Sequence, residues 1–336
     1  MTKYNRFAPN ALGPADIVIA QREMRSLLTT LPLQKGLQVY LCPPYIHVVT
    51  HTDHPLLGGD APFPSPENPR EALKVPDIAC FFHHYIREPA TWYTLSDASR
   101  YFATQVPDAA LDEPLLFSAT IALSAIHIAR TSNKGARAAA EFYHAHCVRM
   151  LIGLDEGSDL IRRGVALATT SLLRSYEILD ADMDPNRHLW GAYSFASGQS
   201  IIDQLTDATS GLSTAGFWNY LREDITFSLY EQCGLKISLD GITAPSHTTE
   251  ESYVNSITLI LGQILNTIYA NEVGMNEQEW NRLLENAMSW HASLPSSFQP
   301  FSHEPSLRTL PRAWYLRDCH GMLFVPYLLN PSFSLK

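Results

Sequence analysis

The residues of this chain best placed to do chemistry are histidine, cysteine and aspartate, and their densest group is the string HAHC: His144, His146 and Cys147. Imidazole and thiolate together raise the question of a transition-metal site. On a helix, residues two apart point about 200° away from one another, so only His144 and Cys147 share a face. Two ligands fall short of the four a structural zinc site needs, and the group reads as surface or packed side chains. His83 and His84 are adjacent and diverge in the same way. His127 sits in the most apolar stretch of the chain and reads as a hydrogen-bonded core histidine rather than a base.

The acidic run LDADMDP places Asp180, Asp182 and Asp184 at the spacing of the first half of a calcium loop. Pro185 stands where the sharp turn needs glycine, and the twelfth position is Gly191 rather than a glutamate, so the run reads as a solvated helix end and turn. Asp224, Ser228 and Gln232 have the spacing of an N-x3-S-x3-E magnesium triad. A neutral amide at the third position is a poor ligand for a hard cation, and an amphipathic helix face is the better reading. Nucleophile-elbow, phosphate-loop, HExxH and dinucleotide fingerprints do not occur. No catalytic residue, cofactor or metal is expected. Large rings in FFHHY, TWY, Phe217–Trp218 and Ala313–Tyr315 fill a core or line an interior cavity.

The elements that must position these residues are helical. Eleven of the 22 prolines fall in residues 1–76, which excludes a helical bundle there. Gln21–Leu28 has room for two helical turns, Leu37–Cys42 for a short extended piece, and Gly58–Arg70 reads as an exposed linker. From about Pro76 the texture changes to long helical segments, so the fold class is all-α, with a Pro-rich segment over 1–76 and a helical domain over 77–336. Expected helices are Leu115–Arg130, apolar on nearly every face, Ala136–Leu151, Asp159–Leu179, Arg187–Leu205 and Thr214–Cys233 with Gly234 as a left-handed cap. Thr248 with Glu251, and Asn276 with Glu279, read as capping boxes for two more. Pro295 stops the second, and a last helix runs from Arg312 to about Phe324.

Of 336 residues, 46% are hydrophobic and 17% charged, a globular composition. The net charge of -10 has the wrong sign for coating phosphate backbones, so direct nucleic-acid binding by this chain alone is not expected. Five scattered cysteines without a C-x-x-C pair fit free thiols in a reducing compartment. Neither a signal peptide nor an uninterrupted membrane span is read.

Several strings in order carry a resemblance. They are Trp92 with Asp97, Tyr101-Phe102 with Val106-Pro107, and the helix ending in LSAIHIAR. Tyr143-His144 with Cys147, LLRSYEILD, RHLWGA, GFWNYLREDI and AWYLRDCH follow. Over Phe81–His320 the chain resembles the fungal-specific transcription factor domain, the regulatory region that follows a Zn2Cys6 head. The resemblance implies an all-α regulatory domain used for effector response, partner contact and control of activation, and no catalysis. A Zn2Cys6 head needs six cysteines within about 30 residues; residues 1–80 hold only Cys42 and Cys80, so a chain without that head is expected. The family also continues past "DCH" into a further long helix, and a shortened domain is expected here.

The resulting expectation is a nuclear (or cytoplasmic), non-secreted regulator of metabolic or secondary-metabolite genes, acting through protein partners, a homodimer or a small hydrophobic effector. His127, Arg174, Tyr176, Trp190 and Trp218 are the expected effector-pocket residues. The alternative is a stand-alone helical protein that binds or transforms a hydrophobic metabolite.

Overall fold

The computed structural model describes residues 63–93, 99–155, 157–180, 187–197, 205, 211–269, 277–304, 312–317 and 319–320. The stretches assigned above to Gln21–Leu28 and Leu37–Cys42, and Asn276, Asp97, Asp182 and Asp184, lie outside them. The chain divides into two compact units. One comprises His51–Phe227 and Leu235–Thr258; the other comprises Met1–Thr50, Ser228–Gly234 and Leu259–Lys336.

The described elements are almost wholly helical, as an all-α chain requires. In order they are α1 (Pro69–Ala72), α2 (Pro76–Arg87), a 3-10 turn (Pro89–Tyr93), α3 (Tyr101–Ala110), α4 (Pro114–Thr131) and α5 (Arg137–Ile152). Next come α6 (Asp159–Arg162), α7 (Val165–Leu179), α8 (Arg187–Ala196), α9 (Leu212–Glu231), α10 (Glu250–Tyr269) and α11 (Glu277–Ala292).

Helix α4 is the axis of the first unit. Every residue from Leu115 to Ile126 is buried, and α2, α3, α5 and α7 all pack on it. Burying each large aliphatic side chain is worth about 1.5–3 kcal/mol. The helix is long and apolar enough to cross a membrane by composition, but neighbouring helices cover it. Two of its hydroxyls turn back on its own backbone: Ser118 donates to the Pro114 carbonyl at 2.8 Å and Thr120 to that of Phe117 at 2.8 Å. Burying these two hydroxyls therefore costs little.

Helices α7 and α9 run side by side and parallel. Gly164 faces Ser213, Leu167 faces Gly216, and Arg174 bonds Glu223, the second residue in each pair lying 49 positions after the first. A Cβ on Gly164 would sit 2.3 Å from the Ser213 Cα, and on Gly216 3.1 Å from the Leu167 Cγ. The two glycines are what allow so close an approach.

Several expectations require correction. The helix expected over Asp159–Leu179 is two, α6 and α7, because Gly164 takes the left-handed conformation (φ 77°) that breaks the first and caps the second. The left-handed residue after α9 is Gln232 (φ 53°), not Gly234. The cap of α10 falls one residue later than Thr248. Thr249 Oγ1 accepts the Ser252 N–H at 3.2 Å, and Ser252 Oγ accepts those of Thr248 and Thr249 at 3.1 and 3.0 Å.

The described part of the expected linker is not loose. Pro66 and Pro69 are buried, the Phe63 ring meets Phe142 with centroids 5.3 Å apart, and Tyr143 donates its hydroxyl to the Pro64 carbonyl at 3.0 Å. Apolar burial outweighs the solvent preference of a Pro-rich string. In the second unit, Arg312 opens no helix. Arg312–Trp314 is a strand, β2, paired antiparallel with β1 (Ser302–Glu304), Ser302 opposite Trp314.

Candidate functional site

Three segments of the first unit bring their polar side chains to one junction, buried at Tyr176, Glu177, Asp180 and His188 and open to solvent at Glu141. Helix α5 presents Arg137, Glu141 and His144 along successive turns, α7 supplies Tyr176 and Glu177 with Asp180 at its end, and α8 supplies His188. The His144 ring stacks on Tyr176 (centroids 4.3 Å, 16°) and meets His188 edge-on (5.6 Å, 86°). Glu177, 1% exposed, takes the His188 backbone N–H at 3.0 Å and lies 2.6 Å from His188 Nδ1. One carboxylate from α7 thus caps the first turn of α8 and pairs with its histidine.

Asp180 is 3% exposed and bound by Arg137 at 3.1 Å, so it is not the solvated helix end expected from the acidic run. Arg137 also holds Glu141 at 2.7 Å. Its guanidinium is pushed above the usual arginine range by the bond to Glu141 and the charge of Asp180. Burial pushes the Tyr176 phenol up, and nearby Asp180 and Glu141 add to the shift. Cys147 is buried beneath the junction with its thiol on the Leu115 carbonyl at 3.5 Å, and burial raises it far from any thiolate role. His144 and Cys147 therefore have separate roles, ring stacking and core packing. The junction has no exposed nucleophile, and what it does is tie three helices together.

Of the five expected pocket residues, the four whose side chains are described make different contacts. Tyr176 belongs to this junction. Arg174, 8% exposed, donates from Nε to Glu223 at 2.8 Å. Trp218 is buried edge-on to Phe217 (5.3 Å, 82°). His127 is half-buried at the end of α4, with its Nδ1 2.8 Å from His84 Nε2 and Trp92 edge-on at 5.1 Å. The Trp190 side chain lies outside the described residues. A shallow groove of about 380 Å³ lies elsewhere, against Gln105, Asp108, Ala109, Arg163, Val165 and Leu212.

Asp224 is fully buried and uses Oδ2 to accept the N–H groups of Lys236 and Ile237 at 2.9 and 3.0 Å. Burial raises its carboxyl, and the two amides oppose that shift. It pins the loop after α9, a role far from an exposed magnesium ligand. Cys80 and Cys147 carry free thiols.

The residues that reading from sequence missed are Glu177, His188 and His84. Glu177 and His188 stood within LLRSYEILD and RHLWGA, and nothing in either string says that one caps the other. Searches of curated proteins and of solved structures give no match. Residues 80–215, which carry α4, α5 and the whole Tyr176–Glu177–His188 junction, match the family model of the fungal specific transcription factor domain.

Proposed function

We propose that the chain is a nuclear transcription regulator whose helical part acts by contact with protein partners, a second copy or a small effector, rather than by gripping DNA itself. The family match over residues 80–215 carries this reading. A net charge of -10 and the lack of any C-x-x-C pair in the sequence support recruitment through a partner. In this role the buried junction keeps α5, α7 and α8 in one arrangement, so that contact made at one helix is felt at the others. Control of metabolic or secondary-metabolite genes is the setting we infer.

Fusing the full chain to a heterologous DNA-binding module upstream of a reporter tests the regulatory role. Transcription should change relative to the module alone, and an unchanged reporter, with the fusion expressed and nuclear, sinks the reading. A gel shift with the purified chain tests the partner clause. No retardation of duplex DNA is expected at physiological salt, and tight unaided binding would overturn that clause.

A further inference from the structure

We propose that the Phe142–Tyr143 face of α5 is a binding surface for a proline-rich peptide of the order aromatic, proline, any residue, proline. This chain occupies the surface with its own Phe63–Pro66, and a partner protein carrying such a stretch takes it over in exchange. In Phe63-Pro64-Ser65-Pro66 each proline holds its own φ at about −65° and keeps the residue before it out of the helical region. Residues 63–65 accordingly form neither helix nor strand. A stretch that is already extended loses little conformational freedom on docking.

The contacts that hold this segment are those by which aromatic surfaces take proline-rich peptides. The Phe63 ring lies tilted on Phe142 (centroids 5.3 Å, 43°), and Tyr143 donates its hydroxyl to the Pro64 carbonyl at 3.0 Å. Pro66 is buried, while Ser65 and Glu67 on either side of it are exposed, so the prolines are gripped and the positions between them are free to vary. The surface beneath is braced. Phe142 and Tyr143 meet edge to face (5.2 Å, 84°), and Phe117 of α4 supports Tyr143 in the same way (5.9 Å, 84°). Beyond the stretch, the buried Pro69 and the exposed pair of Arg70 with Asp112 anchor its far end. Phe63–Pro66 can therefore leave the face of α5 with that anchor in place.

A tethered ligand meets its surface at an effective concentration on the order of millimolar or above. A free peptide of equal intrinsic affinity is outcompeted, and its apparent Kd rises by the reciprocal of the fraction of molecules whose surface is open. A partner that presents the stretch more than once, or beside a second contact, overcomes the tether by the same arithmetic. The surface gives a chemistry to the partner contact proposed above and rests on that reading for its purpose.

The test titrates the full chain against a fluorescein-labelled peptide of sequence FPSPENPR at neutral pH and reads anisotropy. Phe63→Ala with Pro66→Ala weakens the tethered copy, and this variant should bind the peptide at least about tenfold tighter than the native chain does. Adding Tyr143→Phe should take back several-fold of that gain, since the hydroxyl is then lost to the peptide. The peptide FASAENPR, without the two gripped prolines, should bind the same variant about tenfold more weakly than FPSPENPR. Phe63→Ala alone truncates a half-buried ring, should gain several-fold, and takes the place of the double variant if circular dichroism shows that one unfolded. Equal affinity of the native chain and these variants for FPSPENPR, or equal binding of the two peptides, overturns the surface. Sedimentation of the native chain as a dimer that the peptide dissolves to monomer overturns the partner, because it puts a second copy's segment on the surface. The titration reads the surface and the reporter fusion reads regulation, so each can fail without the other.

Discussion

Two histidine contacts of the first unit, His188 with Glu177 and His84 with His127, are built on opposite terms. His188 is 7% exposed, pairs with the buried carboxylate of Glu177, and that same carboxylate also holds its backbone N–H. His127 is half-exposed, meets another neutral ring, and has no carboxylate in direct contact. The first contact is costly to break because both groups have been taken out of water and Glu177 also holds the His188 backbone N–H. The second is cheap to rearrange, because water can take over either nitrogen. A buried carboxylate–imidazole contact fixes an arrangement, whereas a half-exposed imidazole pair can exchange its bridging proton for another partner.

That contrast can be broken or sharpened by substitution. Glu177→Ala should have the largest effect, about 3–5 kcal/mol in urea unfolding, because it strands His188 and uncaps α8 together. A loss under about 1 kcal/mol would mean that the junction is not what holds α8. Gly164→Ala comes next, at about 2–3 kcal/mol, since the new Cβ would collide with the Ser213 backbone and the residue would keep a left-handed φ of 77°. Thermal denaturation with circular dichroism reads this, and the α7 and α9 amides should exchange faster with solvent. His144→Ala, which removes one stacked ring, should cost about 1 kcal/mol.

The half-exposed pair predicts a pH slope rather than a large single loss. A folded-state value near 4 for His84, against an ordinary 6.5, means that the unfolded chain takes up the proton first. The pair's contribution is therefore present above about pH 6.5 and fades as pH falls toward 4. His84→Ala should flatten the fall in melting temperature over that window, and a slope equal to the wild type's would show that the pair is not its source. Smallest of all should be Asp112→Asn. It removes a two-pronged bond to Arg70 at 2.7 and 2.8 Å, but both partners are well exposed, and no measurable change in melting temperature is expected.

The strings LSAIHIAR, LLRSYEILD and RHLWGA were enough to indicate the helices and the family, because apolar periodicity, prolines at helix starts and residue order are local properties. The all-round apolar stretch after Pro114 could only be a central helix, and α4 is one. Reading from sequence failed wherever a distant contact outweighed the local rule. Gly164 looked like a residue inside a long helix, and only the approach of Ser213 shows why it must be left-handed. The segment around Phe63 looked like a linker, and only Phe142 and Tyr143 show that it is packed. Asp180 looked solvated until Arg137 was placed beside it.

By itself, the sequence determined that this is a helical, acidic chain, since composition and short-range spacing decide which helices form and which face must be buried. Tertiary structure alone decided that Glu177 belongs to His188, that Arg174 belongs to Glu223 and that His84 meets His127. Each pair is separated along the chain by at least a helical turn and a reversal, or by several elements. Which charge neutralises which depends on where packing of the apolar faces brings the helices to rest.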